Sequence, residues 1–131
     1  MRLMHLAPLA GFALALLAPP AAPAHAAAQE AFICTMKEGK TLADVQKVAA
    51  EFRKAANELK GGKDYKAWIL TPIASQNLDA VIWIGEMPDF PAMAAFNDVY
   101  NASDAAKRLG PMFEAVVDCQ SRSFWSRSDV K

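Results

Sequence analysis

Along Leu78–Asp89 (LDAVIWIGEMPD) apolar and polar positions recur with the two-residue period of a strand, placing Leu78, Ala80, Ile82 and Ile84 on one side and Asp79, Val81, Trp83 and Gly85 on the other. Both sides are largely apolar, so this strand belongs in the middle of a sheet that is covered on both faces. Ala31–Lys37 (AFICTMK) reads as an earlier strand, and so does Tyr65–Ala74 (YKAWILTPIA). Pro72 has no N–H to give a ladder, which puts the second of these at an edge or brings it to an end there. Ser75-Gln76-Asn77 is turn chemistry and joins it to the central strand as a hairpin. Ala115–Trp125 (AVVDCQSRSFW) alternates again and forms the last strand.

Between these runs the period lengthens. Thr41 stands as a helix N-cap with Asp44 three residues on, a variant of the capping box. Leu42, Val45, Val48, Phe52, Ala55, Ala56 and Leu59 then recur at helical spacing, with Lys47, Glu51, Lys54 and Glu58 outside and Gly61-Gly62 ending the helix. After Gly85 the chain leaves the sheet, Asp89 is placed to cap and Pro91 to open a second helix, and Phe90, Met93, Asn97 and Tyr100 share one side of it. Ser103 caps a further helical segment from Asp104, which Gly110-Pro111 is expected to break or kink.

Strand, helix, strand, strand, helix, strand is the ferredoxin-like βαββαβ order of an α+β fold: an antiparallel four-stranded sheet with its helices on one face. The first and last strands are then neighbours. The other face is left with residues such as Trp68, Leu70, Val81 and Trp83, if those share it, and is then too apolar for a monomer in water. Packing two sheets face to face in a two-fold homodimer covers it.

The N-terminus reads as an export signal. Arg2 is a basic start, Leu6–Ala18 an apolar run, Pro19-Pro20 a stop, and Ala24-His25-Ala26 and Ala26-Ala27-Ala28 are small-x-small cleavage sites. The competing reading, a membrane anchor, needs roughly 20 apolar residues, more than this run offers. We therefore expect a signal peptide over residues 1–28 and one domain over 29–131, periplasmic or secreted, with no membrane association after cleavage. The chain carries 14 basic and 14 acidic residues. Balance without a basic stripe argues against nucleic acid as a partner. In an exported protein the pair Cys34 and Cys119 reads first as a disulfide, the alternative being two free or catalytic thiols, and the pairing of the first and last strands makes the bridge reasonable. Asn101-Ala102-Ser103 matches a glycosylation sequon, but nothing else indicates a eukaryotic route.

The element order over Phe32–Trp125, the long capped helix from Thr41 and the segment IWIGEMPDF running into a broken helical region resemble the dimeric α/β-barrel superfamily, with its antibiotic-biosynthesis-monooxygenase, NIPSNAP and EthD-like members. The resemblance covers nearly the whole expected domain and contains no diagnostic catalytic motif. It implies a dimeric α/β barrel with a small-molecule pocket between sheet and helices.

Both histidines, His5 and His25, fall in the export segment. The domain without them cannot form a Ser-His-Asp or Cys-His nucleophile and lacks the usual ligand for zinc, haem or non-haem iron. Scattered carboxylates match no calcium loop and no phosphate-cradling glycine loop occurs, so neither metal nor cofactor is expected. What remains is an aromatic set with polar partners: Trp68, Trp83, Asn97 and Tyr100. These are either core residues or the walls of a site for an apolar or aromatic, quinone-like ligand. The resemblance adds the alternative of a cofactor-independent monooxygenase, in which Trp, Asn and Tyr hold the substrate. A third alternative is a structural or protein-interaction module. Glu86 and Asp89, beside Trp83, are candidates for a base, against the plainer roles of solvated residue and helix cap. Lys60, Lys63 and Lys66 read as a solvated connection.

Overall fold

The structure, a computed structural model, describes residues 26–128 and 130. The expected export segment therefore lies, up to residue 25, outside the described residues. Four strands, β1 (Ala27–Met36), β2 (Lys66–Leu70), β3 (Ala80–Met87) and β4 (Val117–Arg127), alternate with three helices, α1 (Leu42–Glu58), α2 (Phe90–Asn101) and α3 (Asp104–Glu114), and a 3₁₀ turn at Gly62–Asp64. The strands form one sheet in the order β2-β3-β1-β4, and every neighbouring pair is antiparallel. This is the expected ferredoxin-like α+β arrangement, with its second crossover divided into α2 and α3.

Local chemistry explains the helix starts. The Asp44 N–H donates to Thr41 Oγ1 at 3.4 Å and the Thr41 N–H donates to Asp44 Oδ2 at 2.9 Å, so the capping box closes in both directions. Those bonds to Thr41 hold the Asp44 carboxyl below its usual range. Asp89 caps α2 by accepting from the Ala92 N–H at 2.8 Å, and Ser103 caps α3 by accepting from the Ala106 N–H at 3.2 Å. The expected break at Gly110-Pro111 does not occur, because α3 runs on to Glu114. Lys107 and Pro111 both face solvent, where water can serve the carbonyl that the proline leaves without a donor, and the Ala115 N–H closes the last turn on Pro111 O at 3.0 Å.

β1 begins at Ala27 instead of Ala31. Gln29 and Glu30 look like loop residues in the sequence, yet both lie in the strand with charged partners on either side of the sheet. β2 stops at Leu70, ahead of Pro72. The faces also differ from expectation. The register pairs Trp68 with Ile84 and Ile69 with Trp83, so the two tryptophans point to opposite sides. Val81 and Trp83 lie under the helices, while Trp68, Leu70, Ile33 and Trp125 are exposed on the uncovered face, beside the half-buried Ile82 and Ile84.

The core lies between the covered face and the helices, in two patches. Phe52, Met93, Phe96 and Leu109 surround Tyr65 in one, and Val45, Val48, Val81, Val116 and Val117 surround Cys34 in the other. Cys34 and Cys119 form a disulfide between β1 and β4 across a sequence separation of 85. Just beyond it the pairing slips: Cys34 opposes Cys119 but Ile33 opposes Ser121, leaving Gln120 as the extra residue of a β-bulge.

Tyr65 lies across β3 at Gly85, where a Cβ would stand 1.9 Å from the phenol oxygen. Only glycine admits the ring there. Gly85→Ala is expected to cost about 1–3 kcal/mol by overpacking, read as a lower urea midpoint with unchanged slope. An unchanged midpoint would show that Tyr65 does not depend on this gap.

Candidate functional site

A cavity of about 270 Å³ opens between the covered face of the sheet and the helices. Its walls are aromatic and come from different elements: Phe52 from α1, Trp83 from β3, Phe96 and Tyr100 from α2, and Phe113 from α3. Phe52, Trp83, Tyr100 and Phe113 meet edge to face, with the Phe52 ring centre 5.2 Å from those of both Trp83 and Tyr100 and Trp83 5.8 Å from Phe113, while Phe96 stacks on Tyr100. Asn97 and Asn101 line it on α2, and the disulfide sulfurs' residues, Cys34 and Cys119, line it at the β1–β4 end.

The polar end is a continuous hydrogen-bonded chain. Trp83 Nε1–H donates to Tyr65 Oη at 3.1 Å, and the Tyr65 O–H donates to Glu30 Oε1 at 3.0 Å. The other carboxylate oxygen, Oε2, accepts from Arg122 Nη2 at 2.6 Å and Nε at 3.1 Å. Arg122 lies over the rings of Phe32 and Phe124, 5.1 and 4.9 Å from their centres, so aromatic faces hold it as well as the carboxylate. Arg53 donates to the carbonyl of Tyr65, fixing the backbone behind the phenol. Glu30 is only 4% exposed. The phenol and the guanidinium that face it satisfy both oxygens of this buried carboxylate.

Burial drives the Tyr65 hydroxyl far above its ordinary value near 10, and the negative charge of Glu30 adds to the rise. Burial also raises Tyr100. Both phenols are therefore neutral at physiological pH, and Tyr65 serves as a donor. Among the described residues no group of His, Cys, Asp and Glu is arranged to hold a metal ion.

Of the residues singled out in the sequence, Trp83, Asn97 and Tyr100 line the cavity. Trp68 does not: it projects from the opposite face, 44% exposed. Glu86 also faces away from the cavity, accepting from Gln29 Nε2 at 2.8 Å and Arg127 Nη1 at 2.6 Å, and Asp89 is the α2 cap. Sequence reasoning missed Glu30, Tyr65 and Arg122. The bulge at Gln120 is the reason for Arg122: without it the alternation of β4 would send that side chain to the uncovered face. An isolated Glu ahead of an apolar run, and an Arg between serines in a last strand, were the only signals in the sequence.

No protein-family model and no curated protein sequence matches the chain. Solved structures do. SnoaB, a cofactor-independent oxygenase from Streptomyces nogalater, superposes with a TM-score of 0.58 at 10% identity, over 80% of this chain and 96% of that one. A putative antibiotic biosynthesis monooxygenase from Chloroflexus aurantiacus gives 0.54 at 6% identity, over 80% and 96%. An uncharacterized NIPSNAP domain protein from Burkholderia xenovorans gives 0.52 at 12% identity, over 77% and 94%. At such identities the likeness is one of fold: the chain has the ferredoxin-like α+β architecture that antibiotic-biosynthesis-monooxygenase-like and NIPSNAP proteins share.

Proposed function

We propose that this is an exported protein, periplasmic or secreted, that pairs as a homodimer and binds a small, planar, uncharged aromatic molecule in the cavity. The observation that carries the reading is the cavity itself, flat aromatic walls closed at one end by the Trp83–Tyr65–Glu30–Arg122 chain. Flat apolar walls suit a flat apolar guest, and the polar end fixes its orientation through one oxygen or nitrogen. A hydroxyl on the guest can donate to Glu30. A carboxylate would bring a second negative charge against a buried one, which favours neutral ligands over anionic ones. Pairing is supported by the uncovered face, where Trp68, Leu70, Ile33 and Trp125 are exposed together.

Titrating the protein with 2-naphthol while following tryptophan fluorescence is expected to show saturable binding. 2-Naphthoate should bind more weakly, and Trp83→Phe should weaken naphthol by about tenfold, near 1.4 kcal/mol. Absence of binding by either compound would remove the reading. Oxygen uptake with a hydroquinone in the same cavity would extend it to a cofactor-independent oxygenase, a reading favoured by Trp83, Asn97 and Tyr100 lining one space.

In light scattering coupled to size exclusion, the wild type is expected at the mass of a dimer and Trp68→Glu at that of a monomer, because the substitution places a charge on the apolar face that pairing would cover. A monomeric wild type would instead point to a different protein over this face.

Neutral phenols have a measurable consequence. The chain has two tyrosines, Tyr65 and Tyr100, both raised. Below the unfolded value near 10 their contribution to stability is fully present; above it only the unfolded chain ionises, so stability falls as pH climbs further. In a Tyr100→Phe protein, where Tyr65 is the one phenol left, phenolate absorbance is expected to stay absent at pH 10 to 10.5 while the chain is native and to appear with loss of the fold. Ionisation of Tyr65 near pH 10 in the folded state would contradict the closed polar end.

A further inference from the structure

We infer that export cleaves the bond between Ala26 and Ala27, so that the mature chain starts at Ala27; this rests on the export reading above. The sequence offers two small-x-small sites, one ending at Ala26 and one at Ala28. They differ by two residues, and the fold treats those two residues as part of the domain. β1 starts at Ala27, which pairs with Arg127 of β4. Ala28 pairs with Met87 on one side and Ser126 on the other, so it is held by both neighbours of a central strand. Its side chain is 4% exposed and belongs to the core patch of Phe52, Tyr65, Met87 and Met93. Ala26, by contrast, is exposed and precedes the ladder.

Cleavage after Ala28 would therefore remove a core methyl from beneath Tyr65 and Met87 and shorten the strand that carries Glu30 to a single residue ahead of it. It would also place the new ammonium group on Gln29, inside the sheet between Glu86 and Trp125 as cross-strand partners, where its hydration is curtailed. Cleavage after Ala26 leaves the ladder whole and puts the ammonium at the end of the sheet, next to solvent. The register of β4 depends on the same end of β1, because Arg127 pairs with Ala27 while its guanidinium holds Glu86.

The test is to express the full chain with its own N-terminal segment in a Gram-negative host, purify it from the periplasmic fraction, and determine the first residue by intact mass and N-terminal sequencing. A chain starting at Ala27 is expected. A start at Ala28, Gln29 or any later residue would overturn the assignment of the cut while leaving export intact. An uncleaved chain beginning at Met1 would overturn the export reading and this inference with it.

Discussion

Two carboxylates buried in the middle of the sheet set the terms for the rest of the molecule. Glu30 on β1 and Glu86 on β3 are each 4% exposed, and they point to opposite faces, Glu30 opposing Gly85 and Glu86 opposing Gln29. An unpaired charge at such a depth costs several kcal/mol. Each is closed by an arginine from the edge strand: Arg122 reaches Glu30 on the covered face and Arg127 reaches Glu86 on the other, both at 2.6 Å. An edge strand whose register was free to slide by one residue would exchange the faces of those arginines and leave both carboxylates with the wrong neighbour. The bulge at Gln120 decides which face each arginine takes. It lies between a covalent tie, Cys34–Cys119, and an ion pair, Glu30–Arg122, and both oppose its removal.

The polar end of the cavity follows from that placement. Arg122 pairs with one oxygen of Glu30, the other accepts from the Tyr65 hydroxyl, and the oriented phenol accepts from Trp83. Tyr65 reaches this position only because Gly85 carries no side chain and because Arg53 holds its carbonyl. The partners are thus drawn from β1, β3, β4, α1 and the turn before β2, and among the described residues no buried side-chain polar atom lacks a partner. Satisfied networks of this kind fix one arrangement of a core.

Element order, the capping box at Thr41, the cap at Asp89 and the cysteine bridge are local or topological properties, and the sequence displays them directly. Face assignment is not local. Alternation along β2 and β3 separates two sets of residues in each strand, but only the register between strands says which sets share a face, and Trp68 was grouped with Trp83 for want of it. Glu30 and Arg122 were hidden for a related reason: each looks solvated alone, and a bulge that no residue pattern announces brings them together across 92 positions. Pro111 shows the opposite case, a strong local signal overridden because its helix position is exposed.

The cavity remains to be explained, since a core of this size would ordinarily close on itself. Empty apolar space destabilises in proportion to its volume, on the order of 24 cal/mol for each Å³ when dry. Collapse here is opposed from two sides. At the polar end the Glu30 chain cannot move inward without giving up charge-assisted bonds, and at the apolar end the rings of Phe52, Trp83, Tyr100 and Phe113 already meet edge to face, so closing the space would force them past one another. A molecule that fills the space removes the deficit without disturbing either end. By linkage, any molecule that occupied the cavity kept open in this way would stabilise the folded chain over the unfolded one.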